Sequence, residues 1–184
     1  VPGLLSIFVS LISIPIHLNI AGTENYGNYI IFHFILAITT TLNFGIGKSV
    51  AVSINNFPKK NKEIAFQGLK YTFVIILFIF LLFFIWILFN RVVFDNFLKL
   101  NSNLMYLIFG TTITIFYVSL EGIFQGNEKF KSLSFYNFNF YSLAVSLPSL
   151  LLMYAQNLTF ENLILILIII KFTTILIMFL TVLN

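Results

Sequence analysis

Residues 73–89 read Phe-Val-Ile-Ile-Leu-Phe-Ile-Phe-Leu-Leu-Phe-Phe-Ile-Trp-Ile-Leu-Phe, with no charge, amide, aliphatic hydroxyl, glycine or proline among them. A helix that is apolar on every side has no polar face to turn to water. Its length approaches the roughly 20 mostly apolar residues that carry a helix through a bilayer. The same character runs through the whole chain. Hydrophobic residues make up 59% and charged residues 9%, with a mean hydropathy of +1.01, where soluble domains carry about 25% charged residues. The expected fold class is therefore all-α, a polytopic membrane helix bundle.

Six stretches qualify as spans, at about residues 2–20, 29–53, 71–90, 104–124, 133–154 and 162–182. Five of them differ from the all-apolar third in carrying small or polar residues at helical spacing. Gly3, Ser6, Ser10, Ser13 and His17 form one stripe, and His33, Thr40 and Gly47 another, with Asn43 on the same side. Thr111, Thr114, Val118, Glu121 and Gln125 line a face of the fourth stretch. Asn139, Ser142, Ser146 and Ser149 do so on the fifth, and Lys171, Thr173, Thr174 and Thr181 mark the sixth. Such stripes are either close-packing faces between helices or the wall of a water-filled path. The third stretch belongs at the periphery. Pro15 and Pro148 are expected to kink their helices. Residues 21–27, Ala-Gly-Thr-Glu-Asn-Tyr-Gly, and 91–103 are expected to be loops, and residues 55–70 a basic one.

Ten Lys and Arg against six Asp and Glu give a formal charge of +4. In a membrane chain this balance speaks to orientation, not to nucleic acid. With a cytoplasmic N-terminus, the inside loops hold Lys59, Lys60, Lys62, Lys70, Lys129 and Lys131, and the outside loops only Arg91 and Lys99. That arrangement satisfies the positive-inside rule. The first helix is too long and lacks the basic start of a signal peptide. The chain begins with Val and ends just after an apolar helix, so a piece of a longer protein is expected.

Three ionisable residues fall in or near hydrocarbon: Lys48, Glu121 and Lys171. A central Lys costs roughly 2.5 to 3.5 kcal/mol to insert. Lys48, within Leu-Asn-Phe-Gly-Ile-Gly-Lys-Ser at 42–49, is near enough to a helix end to snorkel. Glu121 stands close to its own helix end and at a depth similar to that of Lys48. Lys171 is mid-span, too deep for easy snorkelling, and an intramembrane charge at that depth defaults to a functional role.

Other patterns are set aside. Gly47-Lys48-Ser49 resembles the end of a phosphate-binding loop, but Leu42 occupies the place of its first glycine and no strand precedes it. Asn157-Leu158-Thr159 is a chance match to a glycosylation acceptor. His17 and His33 lie on different helices without metal-ligand spacing and are read as packing residues. The absence of Cys excludes disulfides and thiolate metal sites. No carboxylate pair, nucleophile motif or metal cluster is visible, so neither an enzyme nor a cofactor is expected.

Three segments in combination carry a family resemblance. They are Pro15 followed by the 21–27 turn; Leu-Asn-Phe-Gly-Ile-Gly-Lys at 42–48; and Gly-Ile-Phe-Gln-Gly-Asn-Glu-Lys-Phe at 122–130. In order and spacing the chain resembles the start of an O-antigen type polysaccharide repeat-unit flippase, of the multidrug/oligosaccharidyl-lipid/polysaccharide exporter superfamily. The resemblance implies a carrier of about twelve to fourteen helices in two six-helix lobes around a central, often cationic cavity, working by alternating access. The present chain would be the N-terminal lobe, multi-pass in a bacterial inner membrane. Its implied partners are a lipid-linked oligosaccharide of polyprenyl pyrophosphate type, membrane lipid and a C-terminal lobe. Lys48 and Lys171 would meet the anionic headgroup, with Asn43, Glu121 and Gln125 also in the lumen.

Rival expectations are a cation-coupled drug exporter or peptidoglycan-precursor flippase of the same superfamily, and a non-transporting membrane scaffold. A coupled exporter calls for a deep acidic residue, for which Glu121 is the only candidate. A membrane-embedded transferase would need a large loop with carboxylates or histidines, which the chain lacks.

Overall fold

The computed structural model describes residues 2–40, 45–98, 103–154 and 160–183, and every regular element among them is helical. Three helical segments are long and apolar enough to cross a membrane: Pro58–Leu82, Tyr106–Gly126 and Glu161–Val182.

Helix α1 spans Pro2–Thr39 and is kinked at Gly22, whose φ of 78° and ψ of 165° lie in territory open essentially to glycine. The expected turn at 21–27 is thus a one-residue break with helix on both sides. Pro15 sits inside the helix without such a break. The stretch expected as one helix over 29–53 is two. The first part ends at Thr39, and α2 begins at Ile46 and runs to Asn56. Gly45 stands ahead of α2 in the left-handed region, at φ 76°.

A short 3-10 turn at Pro58–Lys60 leads into α3, Asn61–Leu98. Much of the expected basic loop is therefore helical, as is the start of the expected loop after residue 90. Proline supplies the fixed φ of a first helical residue, and Glu63 places a carboxylate in the first turn of α3, where the helix dipole favours it.

Helix α4, Asn103–Gly126, ends in a Schellman-type cap. Lys129 N–H donates to the Phe124 carbonyl at 3.0 Å and Glu128 N–H to that of Gln125 at 3.0 Å, with Glu128 itself at φ 56°. Helix α5, Phe130–Asn137, passes through a π-helical segment, Phe138–Leu143, into α6, Ala144–Tyr154. The departure from α geometry thus precedes Pro148 by more than a turn. Helix α7 spans Phe160–Leu183.

Helix α4 is the hub, packed against α1, α2, α3, α5 and α7. Its meeting with α2 is backbone to backbone. A Cβ on Gly122 would collide with the Gly47 main chain, and one on Gly126 would fall 3.0 Å from the Ala51 carbonyl oxygen. Gly122 and Gly126 are four apart on α4, as Gly47 and Ala51 are on α2, the small-residue spacing that lets helices touch in lipid.

The bundle differs from a soluble one in its apolar outer surface and in the polar groups buried within its apolar core. Ser13, His17, Thr72, Thr111, Thr114, Ser119, Ser142, Ser146, Lys171 and Thr174 are buried. Phe73, Val74, Leu77, Phe78 and Leu81 on α3, and Leu165, Ile169, Leu176 and Leu180 on α7, are exposed. Many of the buried hydroxyls are satisfied within the bundle. Thr72, Thr114 and Thr174 donate to carbonyls four residues back, and Thr72 also meets Ser119 at 2.6 Å.

Candidate functional site

The interruption before α2 opens beside α4. A cleft of about 470 Å³ lies there, walled by Thr40, Gly45, Gly47, Lys48, Val118, Glu121, Gly122 and Gln125. Its shape follows from the glycines: the left-handed turn at Gly45 starts α2, and the Gly47–Gly122 contact presses the helices together next to Lys48 and Glu121 in the chain. Lys48 is exposed and Glu121 half-buried. Among the described residues Glu121 has no ion pair to Lys48. Its carboxylate accepts from Gln125 Nε2 at 3.3 Å and from Asn137 Nδ2 at 3.4 Å. Asn137 in turn accepts a short hydrogen bond from the Tyr117 hydroxyl.

Three of the five site residues expected from sequence, Lys48, Glu121 and Gln125, therefore line one cleft. Asn43 lies outside the described residues. Lys171 is elsewhere, in the interior of the bundle and only 3% exposed. Its ammonium sits 4.3 Å from the centroid of the Phe140 ring, which stacks on Tyr117 at 3.7 Å. A desolvated cation–π contact is worth about 2 kcal/mol, enough to offset most of the roughly 3 kcal/mol that a mid-membrane Lys costs.

Sequence reading set His17 and His33 aside as packing residues, and the tertiary structure joins them to this interior. Tyr29 stands between the two imidazoles, stacked on His17 at 4.9 Å and edge-on to His33 at 5.4 Å. His33 is within electrostatic reach of Lys171. Among the described residues the buried His33 Nε2 and Ser142 Oγ have no hydrogen-bond partner. A spacing signal existed within each helix, Ser13 to His17 and His33 to Thr40, but nothing in the sequence placed the helices side by side.

These groups can attract an anion and hydrogen-bond neutral oxygens. Among the described residues no cluster of three His, Asp or Glu is placed to hold a metal ion. No protein-family model, curated protein or solved structure matches the chain.

Proposed function

We propose that the chain is the N-terminal lobe of a membrane carrier that moves lipid-linked oligosaccharide across a bacterial inner membrane. The observation that carries the reading is Lys171, an ionisable side chain buried inside a bundle whose outer surface is largely apolar. Such a residue is retained at a cost, and ligand recognition gives a reason for it. The interrupted helix beside the Lys48–Glu121–Gln125 cleft adds support, since broken helices are where carriers of this kind bind their cargo.

In this reading the two halves of α1, with α2 continuing the second, and the α5–α6 rod add three spans to the three long apolar helices. The resulting six-span lobe, N-terminus cytoplasmic, rocks against a second lobe. Lys48 at the cleft and Lys171 within the lobe draw in the pyrophosphate or acidic sugars. Asn43 and Gln125 hydrogen-bond to sugar hydroxyls, while Glu121 holds Gln125 and Asn137 in place. Lys171 lies under Phe140 in this conformation, so substrate reaches it only when the π-helical segment shifts. Segments of that geometry recur at functional sites.

The test is deletion of the gene in its host. Loss of surface polysaccharide, with lipid-linked repeat units accumulating on the cytoplasmic leaflet, is expected. Rescue should follow from the native gene and fail with Lys171→Leu at an equal membrane level. An intact surface polysaccharide in the deletion strain overturns the proposal.

A further inference from the structure

A second recess lies away from the Lys48 cleft, where the first turns of α3 meet the last turns of α4 and α7. It measures about 280 Å³. Asn61 and Lys62 open it from α3, and Asn127 and Lys129 face them from the end of α4. Phe66 and Leu69 continue the α3 wall downward. The rim is held in place by side-chain hydrogen bonds. Asn61 Nδ2 donates to Asn127 Oδ1, and Asn127 Nδ2 donates to the Ile123 carbonyl at 2.8 Å.

Its depth follows from the three apolar segments. Pro58–Leu82 begins at this end, and Tyr106–Gly126 and Glu161–Val182 finish here. The recess thus sits at the boundary between hydrocarbon and water. Two cations and two amides stand at the water side. An apolar wall, including the largely exposed Phe66 ring, runs toward the lipid side. Lys59, Lys60 and Lys131 add positive charge at the same end. The two nearby carboxylates, Glu63 and Glu128, do not line the recess.

We propose that this recess binds an acidic phospholipid, its phosphodiester between Lys62 and Lys129 and an acyl chain along Phe66 and Leu69. Basic pockets between helices at a membrane surface suit such headgroups. A free phosphate would use the cations but gain nothing from the apolar wall. Lipid is therefore the occupant that uses both halves of the site, and the proposal stands whether or not the chain carries oligosaccharide.

The experiment uses the full-length protein in a neutral detergent, titrated with palmitoyl-oleoyl phosphatidylglycerol or phosphatidylcholine, with bound lipid counted by native mass spectrometry. One phosphatidylglycerol should be retained in preference to phosphatidylcholine. The double variant Lys62→Gln/Lys129→Gln should weaken it roughly 30-fold, about fivefold for each lysine. Lys59→Gln/Lys60→Gln, with the same loss of charge outside the recess, should leave it nearly unchanged. Equal retention of phosphatidylcholine, or an equal loss in both double variants, overturns the site. Displacement of the lipid by equimolar inorganic phosphate identifies a free-anion site and overturns the lipid assignment, whereas persistence of the lipid under phosphate supports it.

Discussion

Lys171 shows how one side chain is tolerated where the solvent is hydrocarbon. Its cost is offset by the Phe140 ring and by enclosure within the bundle. Replacing it with Leu therefore removes a charge without opening a large cavity, and the membrane level and thermal melting of the Lys171→Leu protein in detergent should stay within about 1 kcal/mol of the parent. A loss of transport in that variant then reports on recognition and not on folding. Glu128 makes the opposite case. It holds a left-handed φ of 56° in the α4 cap, where glycine is the usual residue. Left-handed backbone costs a side-chain-bearing residue roughly 1 to 2 kcal/mol, so Glu128→Gly is expected to raise the melting temperature in detergent.

At the scale of elements, α2 against α4 is the contact that organises the cleft. The glycines of 42–48 and 122–130 meet there, Gly47 on Gly122, with Ala51 on Gly126. Lys48 and Glu121 were legible as residues of similar depth on two helices, because helical periodicity alone gives depth and face. That they share one cleft was not legible, since it depends on two backbones approaching without intervening side chains. Gly122→Leu should force the helices apart and cost about 1 to 3 kcal/mol or more, seen as a lower melting temperature and less protein in the membrane. The broken second helix was also hidden. Residues 29–53 are long and apolar enough to read as one span, whereas in the structure α1 ends at Thr39 and α2 starts at Ile46 after the left-handed Gly45.

For the whole molecule, the governing fact is an apolar outer surface of Leu, Ile and Phe around an interior in which hydroxyls, His17 and Lys171 are buried among a larger apolar core. It suits a solvent that cannot hydrogen-bond, in which buried hydroxyls such as Thr72, Thr114 and Thr174 pair with their own helix or with each other. The proposed six-span arrangement with a cytoplasmic N-terminus is open to direct measurement, because the chain has no cysteine to give background labelling. Single cysteines at Lys60 and Lys131 should react with an impermeant maleimide only from the cytoplasmic side, and cysteines at Glu24 and Lys99 only from the opposite side. Labelling of Lys60→Cys and Lys99→Cys from the same side would overturn that topology.

Sequence alone determined that the chain is helical and suited to lipid, because apolar runs of this length leave few other ways to satisfy the backbone. It also marked which face of each helix is polar, because periodicity is local. Only the tertiary structure decided which polar faces meet. The placing of Lys171 against Phe140 and of Tyr29 against Val145 inside the bundle, and of Lys48 beside Glu121 and Gln125 at the cleft, comes from contacts between residues far apart in the chain. Helical spacing within a single segment carries no information about such contacts.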